Sequence, residues 1–302
     1  METLSFENIA DLMQRLGLPG PLHPLITLVN YDEKLISLDD AGKWFELGFY
    51  KISFKESFSG RVEYGPGQYD FKNGGLAFLA PHQSVMMSGE PEDHTGYALF
   101  FHSELLRRRS LSQTIHRYGF FSYAVTEALF LSEKEKDVIA TIFRAIATEL
   151  GNNIDQFSED VLVSQLELLL NHSNRFYNRQ FQTRKTINHH LIERMNSYLI
   201  DRLDKGDNLL AGLPSPREVA THLNMSQRYL SDMLRSLTGK STQQHIHLIL
   251  IEKAKILLNQ TRLTTAEIAY RLGFEHPQSF NKLLKQKTNK SPVEFRRQFA
   301  SD

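Results

Sequence analysis

The chain has 302 residues, 41% of them apolar, no cysteine, and a formal net charge of zero from 35 Lys and Arg against 35 Asp and Glu. The length suggests about two domains; the apolar share is ample for packed cores and excludes a disordered chain; the missing cysteine excludes disulfide frameworks, thiolate zinc sites and a cysteine nucleophile, and fits a reducing compartment. The zero balance hides an asymmetry, because residues 186–302 hold about 17 Lys and Arg against about 11 Asp and Glu, so a basic C-terminal third stands beside an acidic remainder and is the part suited to a polyanion.

The first stretch, METLSFENIADLMQRLGLPG, has neither the basic region nor the apolar run of a secretion signal. Its pattern predicts a short amphipathic helix closed by Gly17 and Pro19. No run reaches the ~18 apolar residues of a membrane helix, so the expectation is a cytoplasmic chain with no membrane partner. Residues 25–102 are rich in glycine, aromatics and alternating runs. Trp44 to Glu56 and Gly96 to His102 have strand composition. Gly65, Pro66, Gly67, Gly74, Gly75 and Pro81 punctuate the stretch between them. Short strands so divided predict a small barrel or sandwich.

Strand signals end near Ser103. A helix is predicted after Ser132, with Glu135 three residues on as a capping box. Val138, Ile139, Ile142, Ile146 and Leu150 would line one face, and Gly151 would close it. A second helix starts near Ser158. Its Leu162, Leu166, Leu169, Ser173 and Phe176 follow a 4-3-4-3 seam, while Val161, Leu168 and Leu170 carry apolar character to another side. One side would pack on the strands and the other could meet a second subunit, or both could be internal core. The polar, basic NRQFQTRKTINHH marks a domain boundary near Arg184, giving domains 1–183 and 184–302.

The remainder reads as helix and contains a divergent repeat. Ser215 to Ser241 aligns with Thr264 to Ser291. Ser215 and Thr264 are helix caps, each with a glutamate three residues on, Glu218 and Glu267. Ala220 and Ala269 are small where a second helix must cross. Asn224 and Gly273 tolerate the left-handed conformation that leaves a helix sharply. Gly239 and Asn289 repeat that choice one helix later. Ser241 and Ser291 each cap the next helix, with Gln244 and Glu294 in the reciprocal position. Each half is a short helix, a left-handed turn and a longer helix, which is a helix-turn-helix pattern. Two helical hairpins packed for stability alone would share the caps but would not need the basic surface.

These residues resemble the AraC-type family of bacterial transcription regulators. The second repeat carries the likeness at Ala269, Gly273, Phe274, Ser279, Phe280, Lys285, Ser291, Pro292, Phe295 and Arg296. The first carries it at Ala220, Met225, Ser226, Tyr229, Leu230, Gly239 and Gln243. Leu284 stands where the family has an aromatic, and Asn289 where it has glycine. The resemblance implies an α+β protein: an N-terminal cupin-like small β-barrel plus helices, for sensing or dimerisation, and a C-terminal all-α domain with two helix-turn-helix motifs joined by a long linker helix, Thr242 to Asn259. It implies promoter DNA and RNA polymerase as partners and activation of transcription rather than an enzyme; the barrel could bind a small-molecule effector, and the helix seam could form a homodimer.

Helical spacing then selects the candidate DNA contacts. On the first recognition helix Gln227, Arg228, Ser231, Asp232 and Arg235 face outward. Arg228 suits a bidentate contact to guanine, and Ser231 a base or phosphate. Asp232 could accept from cytosine or pair with Arg228 or Arg235. On the second, Gln278 and Asn281 suit adenine, and Lys282 and Lys285 suit guanine or phosphate. In the barrel region Tyr50, Tyr64, His94 and Tyr97 could line an effector pocket, although buried or edge aromatic packing is the commoner explanation. A metal-dependent cupin enzyme is the rival from another class. His82, His94 and His102 contain no His-x-His pair, so no metal is expected. The chain has no phosphate-cradling glycine loop and no nucleophile elbow, so neither cofactor nor catalytic residue is expected.

Overall fold

The structure is a computed structural model and describes residues 3–31, 43–59, 61–64, 67–70, 74–86, 93–204 and 212–299. The chain divides into two compact units, Met1–Gln180 and Phe181–Asp302.

The first unit opens with a strand, β1 (Thr3–Phe6), which was not expected, and then the expected short helix, α1 (Ile9–Arg15). Asn8 ends the strand and caps the helix, its side chain accepting from the Asp11 amide. The strand β2 (Ile26–Asn30) comes next. The run Trp44 to Glu56 is broken at Gly48 and Phe49 into β3 (Trp44–Leu47) and β4 (Tyr50–Ser59). Beyond them lie β5 (Arg61–Tyr64), β6 (Gly67–Asp70), β7 (Gly75–Leu79), β8 (Ser84–Met86) and β9 (Asp93–Phe101). A two-residue strand, β10 (Leu129–Phe130), lies beyond the predicted end of the strand region.

These strands form three sheets ordered β1-β3-β8, β10-β7-β4-β9-β2 and β5-β6. No closed barrel is found among the described residues. The break at Gly48 sends successive strands into different sheets, and β2 and β10 stand at the edges of the five-stranded one. A local strand pattern carries no information about which sheet a strand joins. β1 and β3 pair in parallel, with Thr3 opposite Trp44. The five-stranded sheet is antiparallel throughout. Its central pair, β4 and β9, shifts register by a bulge between Lys55 and Ser57. Gly96 sits there with φ of 125°, and a Cβ at that point would lie 2.2 Å from the Phe54 carbonyl oxygen, so only glycine fits.

Alternation along β4 and β9 gives the sheet two apolar faces. On one, Ala98 and Phe100 join Phe49 and the buried side of α1, namely Ile9, Leu12 and Met13. On the other, Phe54 and Tyr97 stack on Phe143 at 5.5 and 5.6 Å between ring centroids. Phe143 belongs to α3 (Glu133–Gly151), which comes after the short α2 (Ser110–Thr114). Its burial contributes roughly 2–3 kcal/mol. The Ser132–Glu135 cap forms as expected. The buried side of α3 is Ile139, Ile142, Phe143, Ile146 and Leu150, while Val138 is exposed. The stripe leans toward Phe143 because the sheet offers aromatic partners there.

On α4 (Ser158–Thr183) the whole seam, Leu162, Leu166, Leu169, Ser173 and Phe176, is buried. Ser173 stays satisfied by donating to the Leu169 carbonyl at 2.7 Å. Leu170 is buried too, whereas Val161 and Leu168 are exposed. The second unit is helical: α5 (Lys185–Asp204), α6 (Pro216–His222), α7 (Gln227–Thr238), α8 (Thr242–Gln260), α9 (Thr265–Arg271), α10 (Pro277–Thr288) and α11 (Pro292–Phe299). No helix among the described residues is long and apolar enough to cross a membrane.

Candidate nucleic-acid interface

The repeat is carried into three dimensions residue by residue. α6 and α9 each have seven residues, and α7 and α10 each have twelve. Ser215 and Thr264 accept from the amides of Glu218 and Glu267. α6 and α9 end on Leu223 and Leu272. The chain then passes through left-handed residues, Asn224 at φ 57° and Gly273 at φ 93°. The amide of Met225 donates to the Ala220 carbonyl, and that of Phe274 to Ala269, each at 2.9 Å. These are equivalent bonds in the two halves, and they close a Schellman-type exit. One extra turn residue precedes α10, which starts at Pro277 with no side-chain cap from His276. Both long helices end left-handed, at Gly239 and Asn289.

Each hairpin buries one side of its longer helix. Tyr229, Leu230, Met233 and Leu234 are buried on α7, and Phe280 and Leu284 on α10, where Phe274 and Phe280 pack at 5.5 Å. Leu283, beside them, is only partly buried. The opposite sides hold the candidates. Gln227, Arg228 and Arg235 are exposed on α7, with Ser231 and Asp232 partly so, and Gln278, Asn281, Lys282 and Lys285 are exposed on α10. The structure thus gathers the candidates into two outward faces, one per hairpin. Asp232 pairs with both arginines: Arg228 Nε donates to Oδ2 at 2.9 Å and Arg235 Nη1 to Oδ1 at 3.3 Å.

The supporting frame includes residues that sequence reading missed or assigned otherwise. Glu218 was expected to close a capping box. Its carboxylate instead accepts from Tyr198 Oη at 2.7 Å and Arg202 Nε at 3.0 Å, both on α5. Burial pushes Glu218 up, but these hydrogen bonds outweigh it and hold it below the usual carboxylate range. Burial and the same carboxylate push Tyr198 up to about 12. The Tyr198 ring stacks on His222 of α6 at 3.9 Å. A short-range cap rule carries no signal for a partner sixteen or twenty residues away. Arg296, noted only for its family likeness, donates from Nε and Nη2 to the carbonyls of Leu258 and Leu263, tying α11 to the end of α8. Phe181 packs edge-on against Tyr229, and Gln182 donates to the Ser236 carbonyl, so the last turn of α4 braces α7.

In the first unit Tyr50 stacks on Phe101 at 4.8 Å and meets Phe121 edge-on. Burial pushes its hydroxyl up from its ordinary value. Tyr97 stacks on Phe143. Both tyrosines face the same side of the sheet, four register steps apart, Tyr50 opposite Phe101 and Tyr97 opposite Phe54. The side chains of Tyr64 and His94 lie outside the described residues. His82 approaches Glu46, and His102 caps a 3-10 turn by accepting from the Glu104 amide. Among the described residues no group of three His, Asp or Glu side chains could hold a metal ion.

Comparison with known proteins bears on the second unit. Residues 219–298 match the family model described as a helix-turn-helix domain. The Msm operon regulatory protein of Streptococcus mutans is 31% identical over 85 residues, which cover 28% of this chain and 31% of that protein. The HTH-type transcriptional activator RhaS of Escherichia coli is 32% identical over 78 residues, covering 26% and 28%. Among solved structures, an AraC-type transcriptional regulator from Chromobacterium violaceum is 19% identical, covers 36% of this chain and 94% of that one, and has a TM-score of 0.31. The chain therefore spans less than a third of the length of these two curated relatives. Residues 219–298 thus form a helix-turn-helix domain similar to those of these transcription regulators.

Proposed function

We propose that this protein is a sequence-specific DNA-binding transcription regulator that inserts α7 and α10 into successive major grooves. The observation that carries this is the duplicated hairpin with matched turns, each half presenting a polar, largely basic face on its longer helix. α8 joins the halves. Its nineteen residues span roughly 28 Å at 1.5 Å per residue, close to the ~34 Å of one duplex turn. Arg228 reads guanine, Gln278 and Asn281 read adenine, and Lys282, Lys285 and Arg235 hold guanine or phosphate. Residues 1–183 serve as a cupin-like sensory or dimerisation domain, with Tyr50, Tyr64, His94 and Tyr97 as the candidate effector contacts and the exposed Val161 and Leu168 as dimer contacts. The protein works in the bacterial cytoplasm, where promoter DNA and RNA polymerase are found. Activation is the favoured direction, since RhaS is named an activator.

A binding selection from random duplex DNA, with the full chain at about 150 mM salt, tests this. The expected result is an enriched site with two contact blocks about 10 base pairs apart. Salt-sensitive binding without sequence preference would show that the hairpins do not read bases.

A further inference from the structure

Asp232 is out of place on a face that meets phosphates. Arg228, Asp232 and Arg235 are spaced i, i+4 and i+7, so they form one stripe opposite the buried Tyr229, Leu230, Met233 and Leu234. The stripe is the centre of the outward side of α7. The Asp232 side chain is 19% exposed, against 44% for Arg228 and 58% for Arg235. The apolar contacts of α7 do not require a carboxylate there. A lone one would repel DNA and weaken the counterion-release term that dominates affinity.

The geometry of the pairs gives it a use. Asp232 takes Arg228 by Nε, the donor on the flank of the guanidinium. The two terminal nitrogens remain for the O6 and N7 edge of guanine. An arginine held in plane loses less side-chain freedom when it docks than one waving in solvent. The second carboxylate oxygen engages Arg235, so both arginines are set by one acid. We propose that Asp232 is a positioning residue that orients Arg228 for base reading, and that it trades non-specific affinity for selectivity; this rests on the DNA-reading function above. Both its oxygens are engaged with arginine, which gives it a positioning role.

The test uses the full chain with Asp232→Ala, the isosteric Asp232→Asn, Arg228→Ala and the double variant Arg228→Ala/Asp232→Ala. Each is measured on the enriched site, on its single-base variants and on scrambled duplex. Exposed ion pairs add little to stability, so all four should melt with the wild type. Asp232→Ala should bind scrambled DNA more tightly while its selectivity falls about tenfold, within the range of one bidentate base contact. The base pair it relaxes should be the one that Arg228→Ala relaxes, and the double variant should lose no more selectivity than Arg228→Ala alone. Asp232→Asn, which keeps an acceptor, should lose less. Unchanged selectivity, relaxation at a different base pair, or additive losses in the double variant would each overturn the proposal while leaving the DNA-reading function in place. A wild-type chain that enriches no sequence would overturn that function and this proposal with it.

Discussion

Arg228 and the two lysines of α10 are expected to contribute to binding in different ways. A guanidinium that meets a base edge distinguishes base pairs, and one that meets phosphate does not. Arg228→Ala should cost about 1–3 kcal/mol on the preferred site and relax a single base position. A uniform loss across sequences, read by competition on single-base variants, would place Arg228 on phosphate. Lys282 and Lys285 are compact charges on long, exposed side chains. Their outward direction was legible in the sequence because helical spacing sorts α10 into an apolar side around Phe280 and Leu284 and a polar remainder. Spacing left open the state of Asp232, for which both a cytosine contact and a pair with Arg228 or Arg235 could be read, the pair being slightly preferred. Only the 2.9 and 3.3 Å distances to Arg228 and Arg235 separate them.

The caps and turns of the hairpins are the most legible elements, since each is decided within four or five residues. Ser215, Ser226, Ser241 and Thr264 all cap as their residue types suggest. The two left-handed exits are nevertheless not interchangeable. Asn224 at φ 57° lies where asparagine is tolerated, but Gly273 is at φ 93°, and a Cβ there would sit 2.5 Å from the Gly212 carbonyl oxygen. Gly273→Val should therefore cost about 1–3 kcal/mol or more in backbone strain and β-branched crowding. Gly273→Asn should destabilise as well, although asparagine is the residue the first hairpin uses. Thermal melts of both variants that matched the wild type would show that this close approach is absent. The longer-range anchor at α6 predicts a pH dependence. Glu218 sits below its ordinary 4.5 in the folded chain, so the stability it supplies is complete above 4.5 and is lost as pH falls through the lowered folded value. Glu267 and Glu294, held down by their caps, act in the same sense. His245 and His247, lowered by burial, lose their contribution as pH falls below 6.5. The second unit should weaken in two acid stages, and Glu218→Gln should flatten the lower one in melts run from pH 7 to pH 3.

At the scale of the whole chain, sequence reading served the two units unequally. The second unit is helical and its signals are local. The first depends on pairings across long separations, such as Thr3 with Trp44 and Leu76 with Leu129, and no periodicity specifies those. A switch of sheet at Gly48 turned an expected single strand run into parts of two sheets. Charge was legible only after the chain was divided. Taken whole, the protein is neutral, and a neutral sphere would show no salt-dependent attraction to DNA. A surface reads phosphates locally, however, because charges farther than ~8 Å are largely screened at physiological ionic strength. The cations of α7, α10 and α11 should then govern the binding, whatever the acidic balance of residues 1–185. The full chain should show log affinity falling steeply with log salt, by about 0.9 for each phosphate neutralised. Lys282→Ala and Lys285→Ala should each reduce that slope by about 1 if the lysine sits on phosphate. A lysine that reads guanine would instead leave the slope nearly unchanged and relax one base pair. A flat salt dependence for the wild-type chain would mean that the basic faces of α7 and α10 are not where DNA is held.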